Sequence, residues 1–154
     1  MGKPKPTPGK THFFGNQPDF IPPASAGGSG LTYSEGMTES PNDSPLKPWA
    51  VTPEKIRDAV QRIVSAARPL RVIAFGSVVR EGAEYANDLD VIVIEKHVED
   101  RYGETIRLRQ ALRGLLMPID LIVMSERDFE ERSSIAGTVA YAALREGQVL
   151  YDAA

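Results

Sequence analysis

Apolar residues recur at Ile56, Ala59, Val60, Ile63, Val64 and Ala67, with polar residues filling the positions between them. That spacing predicts an amphipathic helix, capped by Thr52, opened by Pro53 and closed before Pro69. The period then shortens. "RVIAF" (Arg71–Phe75) reads as a short strand that ends at Gly76-Ser77. "LDVIVI" (Leu89–Ile94) is a second strand, apolar on both faces and therefore expected at the centre of a sheet. Tyr102, Ile106, Arg109, Leu112 and Leu116 trace the next helix, with Arg109 the one position out of character. "PIDLIVM" (Pro118–Met124) is a third strand. Ser125, with Asp128 three residues on, makes a capping-box-like start to another helix. A last helix around Val139–Arg145 stops at Gly147, before the short strand "QVLY".

Helices and strands alternate in this way over residues 51–154. The expected class is α/β: a small mixed β-sheet with helices packed on it, in one domain. Residues 1–50 differ in kind. They hold 9 of the 12 prolines and 7 of the 13 glycines, and no period of 2 or 3.6 is sustained. Such a segment buries too little apolar surface to offset its ordering entropy, so a disordered Pro/Gly/Ser-rich tail is expected there. Its one denser patch runs from Phe13 to Ile21.

Composition narrows the chemistry. There is no cysteine, which excludes disulfides and thiolate metal sites. The two histidines, His12 and His97, are too far apart to suggest a zinc pair. The net charge is −3 with no dense Lys/Arg block, so a large nucleic-acid footprint is not expected. No apolar run approaches membrane-spanning length, and a cytoplasmic protein is the expectation.

Against that background, "FGSVVREGAEYANDLDVIVI" (Phe75–Ile94) stands out. Carboxylates are depleted in strands, yet the second strand opens with Asp88 and Asp90. Alternate strand residues share a face, so these two point the same way, opposite to Leu89, Val91 and Val93. Asp120 lies in the third strand, and neighbouring strands would let three carboxylates converge. Carboxylates so placed repel unless divalent cations sit among them, and an oxygen-only ligand set favours Mg²⁺ or Mn²⁺. Gly76-Ser77, at the exit of the first strand, offers backbone N–H groups and a hydroxyl near the same edge, a seat for phosphate. With 9 Asp in 154 residues, D-x-D arises by chance about 0.5 times per chain; requiring Gly-Ser ten residues before it lowers this to about 0.003.

The pattern G-S-x10-D-x-D, followed by an Asp in a later apolar strand, resembles the DNA polymerase β-type nucleotidyltransferase superfamily. In size it is similar to the minimal nucleotidyltransferases, which are often partnered by HEPN-domain proteins. The resemblance covers Val51 to Tyr151 and implies the polymerase β-type nucleotidyltransferase fold. It also implies that Gly76 and Ser77 hold the triphosphate of ATP and that Asp88 and Asp90 bind the metals. Asp120 would complete the metal site and help deprotonate the acceptor hydroxyl. The chain departs from the pattern at Asn87, where Ser is common, and at Arg80-Glu81-Gly82, where Arg-Gly is common. Arg80 keeps a phosphate-facing charge.

The elements named above use up the hundred residues of the domain and leave no evident acceptor site, so a partner is expected to bring the acceptor. The resemblance makes that partner a HEPN-domain toxin, the reaction transfer of AMP to a toxin hydroxyl, commonly tyrosine, and this chain the antitoxin. Transfer to a small molecule in a pocket made by a dimer, and a non-catalytic module that neutralises its partner by contact, are the competing readings.

Overall fold

The computed structural model describes residues 47–154. The expected tail, with its Phe13–Ile21 patch, lies outside the described residues except for 47–50.

Helix α1 (Pro53–Ala67) begins as its cap dictates: Thr52 is extended, and its hydroxyl accepts from the Lys55 N–H at 3.3 Å. Ile56, Ala59, Val60 and Ile63 form its buried face. It ends at Arg68, whose φ of 48° is left-handed and whose N–H bonds back to Val64 O, with Pro69 barring continuation. Four strands follow as the apolar runs require: β1 (Arg71–Phe75), β2 (Leu89–Glu95), β3 (Ile119–Ser125) and β4 (Gln148–Asp152). Between β1 and β2 lies a four-residue helix, α2 (Ser77–Arg80), too short for any period to announce.

The strand order is β3-β2-β1-β4. Strand β1 runs antiparallel to both β2 and β4, whereas β2 and β3 are parallel, joined across α3 (Arg101–Ala111). The sheet is therefore mixed, and β2 is central as its two apolar faces demanded. Val72, Ala74, Leu89, Val91, Val93, Leu121 and Val123 pack under α1 and α3. Ile73, Ile92, Ile94 and Met124 face the other way, onto Phe129 of α4 (Glu126–Ser133) and Ala140 and Ala143 of α5 (Val139–Glu146). Burial of these aliphatic side chains stabilises the three layers by roughly 1.5–3 kcal/mol for each large one.

One expectation changes. The buried face of α3 is carried by Leu108, and Leu112 follows it into the core. Tyr102 is 78% exposed, and Ile106 and Leu116 also face solvent. Leu112, the buried member of the expected stripe, joins Leu108 in the same core cluster, while Tyr102, Ile106 and Leu116 lie on the outer side. The last helix, α5, stops at Gly147 as expected, and that residue is extended (φ −73°). A Cβ there would collide with Ala143 O and approach Ile73 Cγ2 to 2.7 Å, so glycine is needed for closeness.

Candidate active site

Strand β1 delivers the chain to Gly76, and β2 opens beside it. Phe75 pairs with Asp90 across the antiparallel ladder, and Asp90 pairs with Asp120 across the parallel one. Phe75, Asp90 and Asp120 thus form one row across three strands, on the same sheet face by the alternation of side chains. Asp88 stands two residues before Asp90, in the bend just ahead of β2.

Gly76 is placed by two demands. Its φ of 73° and ψ of −148° fall in a region that only glycine occupies readily. Its missing side chain also leaves the space that the Asp90 carboxylate uses: a Cβ on residue 76 would collide with Asp90 Oδ2 and lie 3.4 Å from its Cγ. The carboxylate is therefore pressed against bare backbone where the chain turns into α2. Val79 and Arg80 N–H both bond to Gly76 O at 3.2 Å, which fixes that turn. Ser77 and Val78 are the first residues of α2, and first-turn N–H groups have no acceptor within their own helix.

Electrostatics join the aspartates. The Asp90 carboxyl is held above the usual aspartate range, first by burial, then by repulsion from Asp88 and from Asp120; Arg80 acts in the opposite sense. Asp88, Asp120 and Arg80 therefore all act on Asp90. They do not enclose a ligand set. Among the described residues no three His, Cys, Asp or Glu side chains gather closely enough for that. Asp120 is 62% exposed, and Arg109 Nη2 of α3 stands 4.0 Å from its Oδ1. Carboxylates repel one another, and the guanidinium gives Asp120 a compensating charge. Arg109 is the residue that sequence reasoning left without a role, although a lone charge on an otherwise apolar helical period was its signal.

Other hollows lie elsewhere. A cavity of about 540 Å³ sits at the opposite end of the sheet, between Leu70, Ile94, Phe129 and Leu144, and includes none of the three aspartates. A smaller one of about 320 Å³ lies by the end of β2 and holds Glu95, Glu104 and Arg107. There Arg107 Nε donates to Glu104 at 2.9 Å, while Glu95 Oε1 is buried without a hydrogen-bond partner. Burial, and then the Glu104 carboxylate, push the Glu95 carboxyl up to about 7. No described helix is long and apolar enough to cross a membrane.

The family model for a nucleotidyltransferase domain matches residues 53–147, a span that contains every candidate site residue. Among solved structures, a candidate nucleotidyltransferase from Sulfolobus solfataricus is similar over 62% of this chain and 76% of its own, with 17% identity and a TM-score of 0.44. No curated protein matches.

Proposed function

The chain belongs to the nucleotidyltransferase domain family, and from that premise we propose that it transfers AMP from ATP to a hydroxyl of a partner protein. The observation that carries this reading is the setting of Asp90. Its carboxylate lies against the bare backbone of Gly76, in one row with Asp120 and two residues from Asp88.

Nucleotidyltransferase domains in general use a nucleoside triphosphate and a divalent metal. The donor types present suit such a metal, which would have to draw the three carboxylates closer than they stand. The donors are all carboxylate oxygens, and a carboxylate that burial and two like charges drive toward protonation is one that a divalent cation relieves. Asp88 and Asp90 would hold Mg²⁺ or Mn²⁺, and Asp120 would complete the set. When bound, the cation supplies Lewis acidity at the phosphate and neutralises the departing pyrophosphate. The chain's own groups do the rest. Backbone N–H groups at Gly76-Ser77, the Ser77 hydroxyl and Arg80 bind the triphosphate, and the Asp120 carboxylate receives the acceptor proton.

Asp120 is on an edge strand and largely open to solvent, so an acceptor carried on a large molecule can approach it directly. The acceptor is a tyrosine hydroxyl of a HEPN-domain toxin, a reading supported by the resemblance of the motif to the minimal nucleotidyltransferases, and the chain acts as its antitoxin. The test is intact-mass analysis of the protein and whatever copurifies with it, after incubation with ATP and Mg²⁺. A partner that gains one AMP with the wild type, and none with D90N, is the expected result. Equal transfer by D90N, or transfer to a small molecule while copurifying protein stays unmodified, would overturn it.

A further inference from the structure

Helix α3 turns to solvent a face that the core does not consume. Ile106, Arg109, Gln110 and Arg113 recur at the spacing of one helical face, the last of them just past the helix end. They line a hollow of about 310 Å³ that has no carboxylate in its wall. Ile106 is 40% exposed there, and Tyr102, one turn earlier, is more exposed still. The other arginines of the helix are answered within the chain, Arg101 by Asp128 at 3.0 Å and Arg107 by Glu104. Arg113 makes no ion pair among the described residues, and the one ion pair of Arg109 is with Asp120, at 4.0 Å. In a chain of net charge −3, two guanidiniums beside an exposed isoleucine reverse the local sign. Arg109 belongs both to this hollow and to the edge of the aspartate site, so the two are continuous.

We propose that this face of α3 docks the acceptor-bearing protein, which sets an acidic side chain on Arg109 and Arg113 and an apolar one over Ile106 and Tyr102. The inference rests on reading the aspartate site as a nucleotidyltransferase, because that reading makes the surroundings of Asp120 the place where an acceptor arrives. Charge selects the partner. A basic surface would meet like charge at Arg113, whereas an acidic one gains the pair that the chain itself leaves unmade. The same two guanidiniums offset the repulsion that Asp88, Asp90 and Asp120 exert on an acidic partner as it closes in. Tyrosine and arginine beside an apolar contact are also the residue types that anchor protein interfaces, and the arginine stems add apolar cover of their own.

The full-length protein is titrated into two fluorescein-labelled peptides and followed by anisotropy. Each peptide carries a tyrosine and a leucine, flanked by glutamates in the first and by lysines in the second. The glutamate peptide should bind about fivefold more tightly, the scale of an exposed ion pair, and added salt should shrink the difference. R113E should reverse the order of the two peptides, with ATP binding by calorimetry and the melting curve unchanged. I106S should weaken both peptides alike, since it removes contact area and no charge. With Mg²⁺ and ATP labelled at the α-phosphate, R113E should raise KM for the glutamate peptide and leave kcat, the pattern of lost docking. No binding, equal affinity for the two peptides, or a preference for glutamate that R113E leaves intact overturns the inference. So does a mixed-sequence RNA oligomer that binds more tightly than the glutamate peptide and is released by R113E, which gives the face to nucleic acid. ATP binding with no choice between the peptides overturns the inference and leaves the reading of the site standing. Charge-selective peptide binding with neither ATP binding nor label transfer brings down the reading of the site, and with it the acceptor role of this face.

Discussion

Replacing Gly76 with alanine isolates the contact on which the site is built. The substitution meets two separate penalties. The backbone at φ 73°, ψ −148° lies where a residue with a Cβ costs on the order of 1–3 kcal/mol. The added methyl also enters the space of Asp90 Oδ2, so the carboxylate must swing away. Forcing a side chain some 30° off its rotamer costs about 0.5–1.5 kcal/mol. Together these predict that G76A loses roughly 2–4 kcal/mol of stability, measured by urea unfolding followed by circular dichroism. The two parts separate in a D90A background, where no carboxylate is left to hit. There the same substitution should cost only the backbone share, about 1–3 kcal/mol. A loss below about 0.5 kcal/mol in G76A would refute the strained backbone. An equal loss in both backgrounds would refute the contact with Asp90.

Three further expectations concern charge. D88N and D90N should each abolish transfer yet melt at the same temperature as the wild type or higher without Mg²⁺, because each removes repulsion among clustered carboxylates; a clearly lower melt would make these residues structural. D120N should keep triphosphate affinity within about tenfold, or roughly 1.4 kcal/mol, while transfer falls by orders of magnitude. Calorimetric titration and α-phosphate label transfer on that one protein decide it, and near-wild-type transfer would remove Asp120 from the chemistry. Glu95, at about 7 against 4.5 for a free carboxyl, binds more proton folded than unfolded, so its contribution to stability is lost as pH rises from about 4.5 through 7. Discounted for the partial exposure of Glu95 to solvent, E95Q should gain about 1 kcal/mol over the wild type at pH 8 and little at pH 4, by urea unfolding.

The strands were legible because they are buried on both faces. Leu89–Ile94 is an apolar run broken only by Asp90, and the structure moves its C-terminal end by one residue, to Leu89–Glu95. Helix α1 was legible for a different reason, a hydroxyl cap and a proline at its first turn. Helix α3 was harder. It buries only Leu108 along its length, so its period is weak, and Tyr102 and Ile106 imitate a core face while lying in solvent. The alternation of strand side chains placed Asp88 and Asp90 together from sequence alone. Strand order cannot be read locally, and the pairing of Asp90 with Asp120 needed the parallel β2–β3 neighbourhood. Arg109 showed as a lone charge in the helical period, but its ion partner lies on another element and was not legible. Gly76 was legible as a turn residue, but its closeness to Asp90 exists only in three dimensions.

The parallel β2–β3 ladder also sets an order of events. Gly76 and Asp90 are brought together by closing the short connection from β1 to β2. Asp120 joins only after the longer crossover through α3, residues 96–118 against 76–88, and each doubling of a closed loop adds only about 0.6 kcal/mol of entropic cost. The delay comes instead from assembly, since α3 must dock before β3 has a bed to lie on. Half of the site thus comes from the antiparallel β1–β2 pair, and the other half sits on the edge strand β3. A ligand held by Asp90 and Asp120 together acts as a clasp on that edge, and amide exchange along Ile119–Ser125 should slow when it binds while exchange along Arg71–Phe75 hardly changes.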